Sequence, residues 1–357
     1  MEISKTLTLE QTDEWSKLIS LLPIEKQDVY YTPQYYDLYE GIGNGKACCF
    51  IYQKDKHLAL YPYLENSINA IGYDLEDEYR DIQGAYGYNG VISSSDDIRF
   101  SARFQEKFLE HAKQWKLVTE FTRFHPIIQN QAFHEGHLQV VYDRMTVALD
   151  LTKGYDDVYK NNYDVNTRNM LKKAEIGGYE FKILNSKEAY SDFSEVYARH
   201  MIKIGATPEY LFKKSYFTDI ADKLADKSFI VAAVQKGRIV AASLFLYMGI
   251  YCHYHLSARS ECCADNSLTS MLIDVAVRHS IANNIKWLHL GGGRTTSSQD
   301  TLLRFKSHFS KEYRVFQIGK RVLNSEVYQR IVKRWQTKYP IAAQKHSNMI
   351  QGYRLSI

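Results

Sequence analysis

No run of the 357 residues is long and apolar enough to span a bilayer, and the opening stretch MEISKTLTLEQTDEW carries acids and no apolar core. The expectation is neither membrane insertion nor secretion, and a cytoplasmic location. Charge of one sign is scarce as well. The 45 basic and 41 acidic residues leave a formal charge of +4, too slight a surplus for DNA binding, which needs clustered positive charge. Any anionic ligand must therefore be met locally. Cysteine is sparse: five residues, at 48, 49, 252, 262 and 263, include two adjacent pairs and no C-x-x-C spacing. Neither a zinc site nor a redox motif is expected, no metal is assigned, and reduced thiols acting as small apolar residues suit the pattern. The triple glycine Gly291-Gly292-Gly293 lacks G-x-G-x-x-G spacing and does not open directly into a helix, which excludes a dinucleotide fingerprint.

What is present is an ordinary globular composition, 45% hydrophobic and 24% charged, in a chain about twice the usual domain length. Two domains follow. Tyrosine is overused, at 28 residues, and Tyr30, Tyr31, Tyr35, Tyr36, Tyr86 and Tyr88 fall near turns and strand ends. An aromatic face with a hydroxyl suits sugar binding and half-buried packing alike.

The chain carries a weak internal duplication. Residues 49–64, CFIYQKDKHLALYPYL, are echoed by residues 231–246, VAAVQKGRIVAASLFL, with Gln53-Lys54 matching Gln235-Lys236. Each reads as a β-hairpin whose apolar strands flank a polar turn, at Asp55 and at Gly237. Downstream of each comes a helix and then a strand, at 104–115 and 117–121 in the first half and at 268–282 and 285–290 in the second. In the second helix Leu268, Met271, Leu272, Val275, Ala276 and His279 share one face. The repeated order implies mixed sheets covered by helices, an α/β (α+β) architecture present twice. A strand at 143–151 opens the second half, and 161–176 reads as a basic helix stopped by Gly177-Gly178. The expected division is residues 1–145, 146–322, and a C-terminal helix and tail, 323–357, packing back on the first domain.

Four segments in order resemble the Fem-like branch of the GNAT acyltransferase superfamily. They are Gly84-Ala85-Tyr86-Gly87-Tyr88-Asn89-Gly90; Thr167-Arg168 with Lys172-Lys173-Ala174 and Gly177-Gly178; Asn266-Ser267-Leu268 opening a helix, followed by Leu288-His289-Leu290-Gly291-Gly292-Gly293; and LLRFKSHF over 302–309. His289 stands where the family usually has aspartate, and Ser310 where it has glycine. The loop over 32–39 lacks the lysine, and the chain lacks the coiled-coil arm, of members that use aminoacyl-tRNA.

The resemblance implies two tandem GNAT-like domains, each a mostly antiparallel mixed sheet flanked by helices, with the chemistry in the C-terminal one. It implies acetyl-CoA or another acyl-CoA as donor, its pyrophosphate at the helix N-terminus formed by Asn266, Ser267 and Leu268 with Arg259 beside it. Tyr254 and His255, adjacent on a strand and so on opposite faces, are candidates for proton handling. Lys306 is placed by the transferred group to stabilise a developing oxyanion or an acceptor phosphate. Phe305, Arg168, Tyr88 and Gly292 are the expected substrate-binding residues. The implied activity is N-acylation of an amino sugar, nucleotide-sugar or related envelope-polysaccharide precursor, free or lipid-linked. Two alternatives stand beside it: an aminoacyl-tRNA-dependent transfer to a peptidoglycan precursor, and a non-catalytic precursor-binding protein.

Overall fold

The computed structural model describes residues 2–261 and 263–356, so Cys262 lies outside the described residues. The first elements are β1 (Glu2–Thr8), α1 (Thr12–Ser20), α2 (Pro33–Gly41), β2 (Lys46–Lys54), β3 (His57–Ser67), β4 (Arg80–Gln83), β5 (Ile92–Ser93), α3 (Ile98–Gln114) and β6 (Leu117–Arg123). After β7 (Gln139–Asp150) come a helical turn α4 (Tyr155–Asp157), α5 (Val165–Glu175), β8 (Glu180–Leu184), α6 (Lys187–Lys203) and α7 (Lys214–Lys223). Then follow β9 (Ser228–Gln235), β10 (Arg238–Met248), β11 (Tyr251–Arg259), α8 (Ser267–Ala282), β12 (Trp287–Gly292) and α9 (Thr301–Ser307). The chain ends with β13 (Tyr313–Val322), α10 (Ser325–Lys338) and α11 (Pro340–Lys345).

These elements fall into two compact units. Unit 1 takes the residues up to Lys26, Tyr30–Asp143, and everything from Phe316; unit 2 takes Gln27–Val29 and Arg144–Val315. The division between them thus cuts β13, and Phe316–Val322 goes with unit 1 rather than with the second half of the sequence.

In unit 1 the sheet runs β1-β2-β3-β4-β6 and ends on the latter part of β13. Every neighbouring pair is antiparallel except β4 with β6. Phe100, Phe104, Phe108 and Ala112 recur every four residues along α3 and bury against Phe50, Tyr52, Tyr61 and Tyr63 of the sheet. The C-terminal helices form a second cluster, in which Ile331 and Trp335 of α10 pack with Ile68, Tyr73 and Val118.

Unit 2 repeats the order. Its sheet runs β8-β9-β10-β11-β12-β7 and ends on the first residues of β13; here β11 with β12 is the parallel pair. Leu268, Met271, Leu272, Ala276 and Val277 of α8 pack with Leu171 and Ala174 of α5 and with Phe229, Val231 and Phe245 of the sheet. The two hairpin turns also correspond, but at a spacing one residue shorter than the Gln-Lys match suggests, because Lys54 pairs with His57 while Gln235 pairs with Arg238.

Candidate active site

A parallel strand pair that stops pairing before either strand ends leaves a wedge lined by unpaired backbone. In unit 2, β11 and β12 are paired at Tyr251–Trp287, Cys252–Leu288 and His253–His289 only, although β11 continues to Arg259 and β12 to Gly292. Both strands are irregular where they part. The β10–β11 register shifts between Leu244 and Phe245 and skips His255, and the β12–β7 register shifts between His289 and Gly291 and skips Leu290. An extra residue bends a strand and sharpens its twist, so paired irregularities on the outer flanks of β11 and β12 steer the two apart.

Lys306, in the last turn of α9, reaches this gap. Its Nζ donates to the Gly292 carbonyl at 2.8 Å and lies 5.8 Å from the centre of the Tyr254 ring. Only 7% of the residue is exposed, and burial pulls its ammonium down to about 7, with partial compensation from the Asp300 carboxylate. The glycines admit it. Gly291 has φ +76°, a conformation that L side chains rarely adopt, and a Cβ there would stand 3.3 Å from Nζ; at Gly292 a Cβ would press on the Met145 carbonyl oxygen at 2.9 Å. Tyr254 shares the gap, its phenol raised by burial and therefore protonated at neutral pH, with the Ser257 and Ser243 hydroxyls in reach.

His255 is not brought to the gap. It is buried against α7, its Nε2 2.8 Å from the Tyr216 hydroxyl, and burial lowers it to about 3, so it is neutral at physiological pH. Arg168 is likewise occupied, since its Nη1 donates to the carbonyls of Tyr159, Lys160 and Tyr163 and closes the turn before α5. Phe305 points to a different cleft, of about 230 Å³, together with Asn166, Thr301, Arg304 and His308. Tyr88 belongs to unit 1, where its ring packs edge-on against Tyr30, His125 and Phe316.

The start of α8 differs from the expected cap. Asn266 makes no capping bond; instead Asp265 accepts from the Ser267 backbone N–H at 2.9 Å and from the Ser267 hydroxyl at 2.6 Å. Arg259 donates to the Asn266 side-chain oxygen at 2.5 Å and to the Asp265 carbonyl at 3.2 Å, and Lys173 pairs with the Asp265 carboxylate at 3.2 Å. Burial pushes Asp265 up, but the Ser267 and Lys173 contacts outweigh it and keep the group ionised. A carboxylate therefore sits where an anion-binding helix terminus was expected, with two cations around it.

Asp300, like Asp265, is a residue that sequence reasoning missed. It caps α9 by accepting from Leu302 and Leu303, and it holds the preceding loop by accepting from the backbone of Arg294 and Thr295 and from the Thr295 hydroxyl. Burial raises it, but these bonds prevail and set it at about 2. The signal was legible, since an aspartate two residues before a Leu-Leu pair is a helix N-cap pattern. Its effect is to fix the helix that carries Lys306.

Two strands parting beside a buried lysine and a protonated tyrosine suit transfer of a group through the gap, and comparison with known proteins decides its class. A family model described as "Acetyltransferase (GNAT) domain" matches residues 163–307. Over those residues the chain is similar to a GNAT acetyltransferase domain. The chain is accordingly an acyltransferase, and its fold is that of the Fem-like GNAT proteins. The crystal structure of FemX superposes with a TM-score of 0.69 at 12% identity over 92% of this chain and 99% of that one. The structure of L-PGS from Bacillus licheniformis gives 0.57 at 14% identity, covering 88% and 94%. The C-terminal domain of a putative lysylphosphatidylglycerol synthetase from Agrobacterium fabrum gives 0.55 at 10%, covering 89% and 92%. At such identities the likeness is one of fold. No curated protein sequence matches the chain.

Proposed function

We propose that the chain is an N-acyltransferase that uses an acyl-CoA donor and acts on an amino sugar, nucleotide-sugar or related precursor of envelope polysaccharide. The observation that carries this reading is the gap between β11 and β12, with Lys306 and Tyr254 inside it. In the reaction the acceptor amine attacks the thioester carbonyl carbon and the carbonyl oxygen becomes an oxyanion. Lys306 as ammonium stabilises that charge in a site where burial makes the interaction strong. Collapse breaks the C–S bond; the Tyr254 hydroxyl gives its proton to the departing thiolate and recovers one from the newly acylated nitrogen, leaving amide and thiol. His255, neutral and turned to α7, has no part in these steps.

A second reading, an aminoacyl ester of tRNA as donor, is favoured by Asp265. A carboxylate capping α8 opposes a donor pyrophosphate at that helix end, whereas an ester donor has no pyrophosphate to seat there. One experiment separates the two. Incubation with a panel of acyl-CoA thioesters is expected to raise the unfolding temperature with at least one member, and that member with a glucosamine-type acceptor should give an acylated product by mass spectrometry. No protection by any thioester, together with activity in cell extract that ribonuclease abolishes, overturns the first reading in favour of the second.

A further inference from the structure

We propose a second ligand site, in unit 1 and independent of the acyl-transfer gap: a pocket of about 500 Å³ that binds a phosphate monoester. Its walls are Gly72, Tyr73 and Asp74 on one side and Lys333, Arg334, Thr337 and Lys338 of α10 on the other. Val327, Ile331 and Trp335 are the buried residues of α10, and Lys333, Arg334, Thr337 and Lys338 in its last two turns are exposed and line the pocket.

The cations of this helix are not all spent on the fold. Arg330 pairs with Glu76 at 3.8 Å, and the Nη1 of Arg334 donates to the carbonyls of Tyr73 and Asp74. Lys333 and Lys338, by contrast, have no carboxylate within ion-pair distance among the described residues, and Lys338 lies 5.3 Å from the Tyr339 ring centre. Of the other acids of the facing loop, Asp77 is taken by Lys116 and Glu78 does not line the pocket. Within the pocket three cations face the single carboxylate of Asp74, which leaves a surplus of two positive charges. A phosphate monoester carries about −1.5 to −2 at neutral pH, so a ligand of this class neutralises the site; a carboxylate or a phosphodiester, with one charge, does so only in part.

The pocket is also held in shape before any ligand arrives. Tyr73 donates its hydroxyl to the Tyr353 carbonyl at 2.6 Å, the Trp335 indole donates to the Leu355 carbonyl at 2.7 Å, and Arg354 and the Tyr353 hydroxyl donate to the buried Asp81. The loop beneath turns at Gly72, φ +82°, and a Cβ there would stand 3.5 Å from the Lys338 Nζ, inside the space a ligand would use. This C-terminal segment lies outside the module that the two units repeat, so the pocket is an addition to the fold and not a remnant of the transfer site.

The phosphate group can be that of a soluble metabolite or of a lipid headgroup, and the test separates these. Glycerol 3-phosphate is titrated calorimetrically into the full-length protein, and sedimentation is measured with phosphatidylcholine vesicles with and without phosphatidic acid. Binding to either phosphate probe, weakened roughly tenfold or more in K333Q/K338Q and falling with added salt, supports the site; saturation by glycerol 3-phosphate assigns the soluble source, and sedimentation with phosphatidic acid alone assigns the headgroup. Both substitutions are on exposed side chains, so the melting temperature and thioester protection should be unchanged. No binding of either probe, or binding that the double variant retains in full, overturns the proposal.

Discussion

Lys306 links the fold to the chemistry most directly, and Lys306→Met tests both. Methionine keeps the length of the side chain and removes the charge. The native ammonium titrates at about 7 instead of 10.5 because burial disfavours its charged form. Since each tenfold loss of proton affinity corresponds to about 1.4 kcal/mol, the buried lysine costs the native state about 3–5 kcal/mol at and below pH 7. Between about pH 7 and 10.5 the native state has released a proton that the unfolded chain retains, so this contribution makes stability climb with pH; above that range both states are neutral and the penalty is gone. The variant avoids the cost but leaves the Gly292 carbonyl without its donor, worth about 1–3 kcal/mol. Urea unfolding at pH 6, 8 and 10 should therefore find Lys306→Met more stable than the parent by about 1–3 kcal/mol at pH 6, with the advantage gone or reversed at pH 10. In a thiol-release assay its kcat should fall by about 10²–10³, the usual loss on removing one oxyanion donor. A variant less stable than the parent at pH 6, with an unchanged pH slope, would refute the burial argument; a kcat within a few fold of the parent would refute the catalytic one.

Three further outcomes follow from the same structure. Gly291→Ala forces a side chain into φ +76° and against the Lys306 Nζ; denaturant melts should show a loss of about 1–2 kcal/mol, accompanied by reduced kcat. Asp265→Asn keeps a capping side chain at the start of α8 but removes the charge; if a donor pyrophosphate docks there, the donor KM should drop several fold, and an unchanged or raised KM speaks for the aminoacyl ester. Arg354→Ala removes the charge partner of the fully buried Asp81, which accepts from the Arg354 Nε and Nη2 at 2.8 Å each. The expected cost is about 3–5 kcal/mol, easing in acid as the uncompensated carboxyl protonates, and adding Asp81→Asn should restore part of it.

The architecture was legible because each half advertises it locally. Apolar strands flanking a polar turn, the apolar face of α8 and the glycine stop after Ala174 are short-range signals, and the order of elements then fixes a mixed sheet under helices. Boundaries were blurred where tertiary contacts overrule pattern. The basic helix was expected from residue 161, yet Asp164 caps it and Val165 begins it, because Asp164 also binds His308 at 2.5 Å and is held there. In the site, Lys306 and Tyr254 were named from the resemblance and lie in one gap. His255 was not separable from Tyr254 by sequence: choosing between two neighbours on a strand requires knowing which face α7 covers, and that is a long-range fact. Asp265 escaped for a related reason. Asn266 and Ser267 are equally good caps by type, and only the loop geometry puts the carboxylate one residue earlier into the role.

The repeat itself explains why the gap between parallel strands is found in unit 2. In unit 1 the parallel pair is β4 with β6, the counterpart of β11 with β12, and it does not open. Pairing runs to Gln83–Phe121 at the last residue of β4, and beyond it Asn89 bridges to Phe124. The Gly84–Gly90 loop is sewn in: Asn89 donates its N–H to the Arg123 carbonyl at 2.6 Å, its side-chain oxygen accepts from the Arg123 N–H at 2.7 Å, and Arg123 Nη1 donates to the carbonyls of Gly84 and Ala85. Close packing there demands glycine, since a Cβ at Gly84 would collide with the Asn89 side chain and one at Gly87, φ +97°, with the Tyr30 ring. The Gly/Tyr-rich segment that supplied Tyr88 as an expected substrate-binding residue is thus, in structure, the plug that satisfies backbone groups a wedge would leave exposed. In unit 2 the strand β11 is followed by α8, and a buried lysine on a firmly capped helix stands at the wedge. Opening such a gap forfeits ladder hydrogen bonds and strands a charge, a cost of several kcal/mol, and two copies of one module need bear it only once.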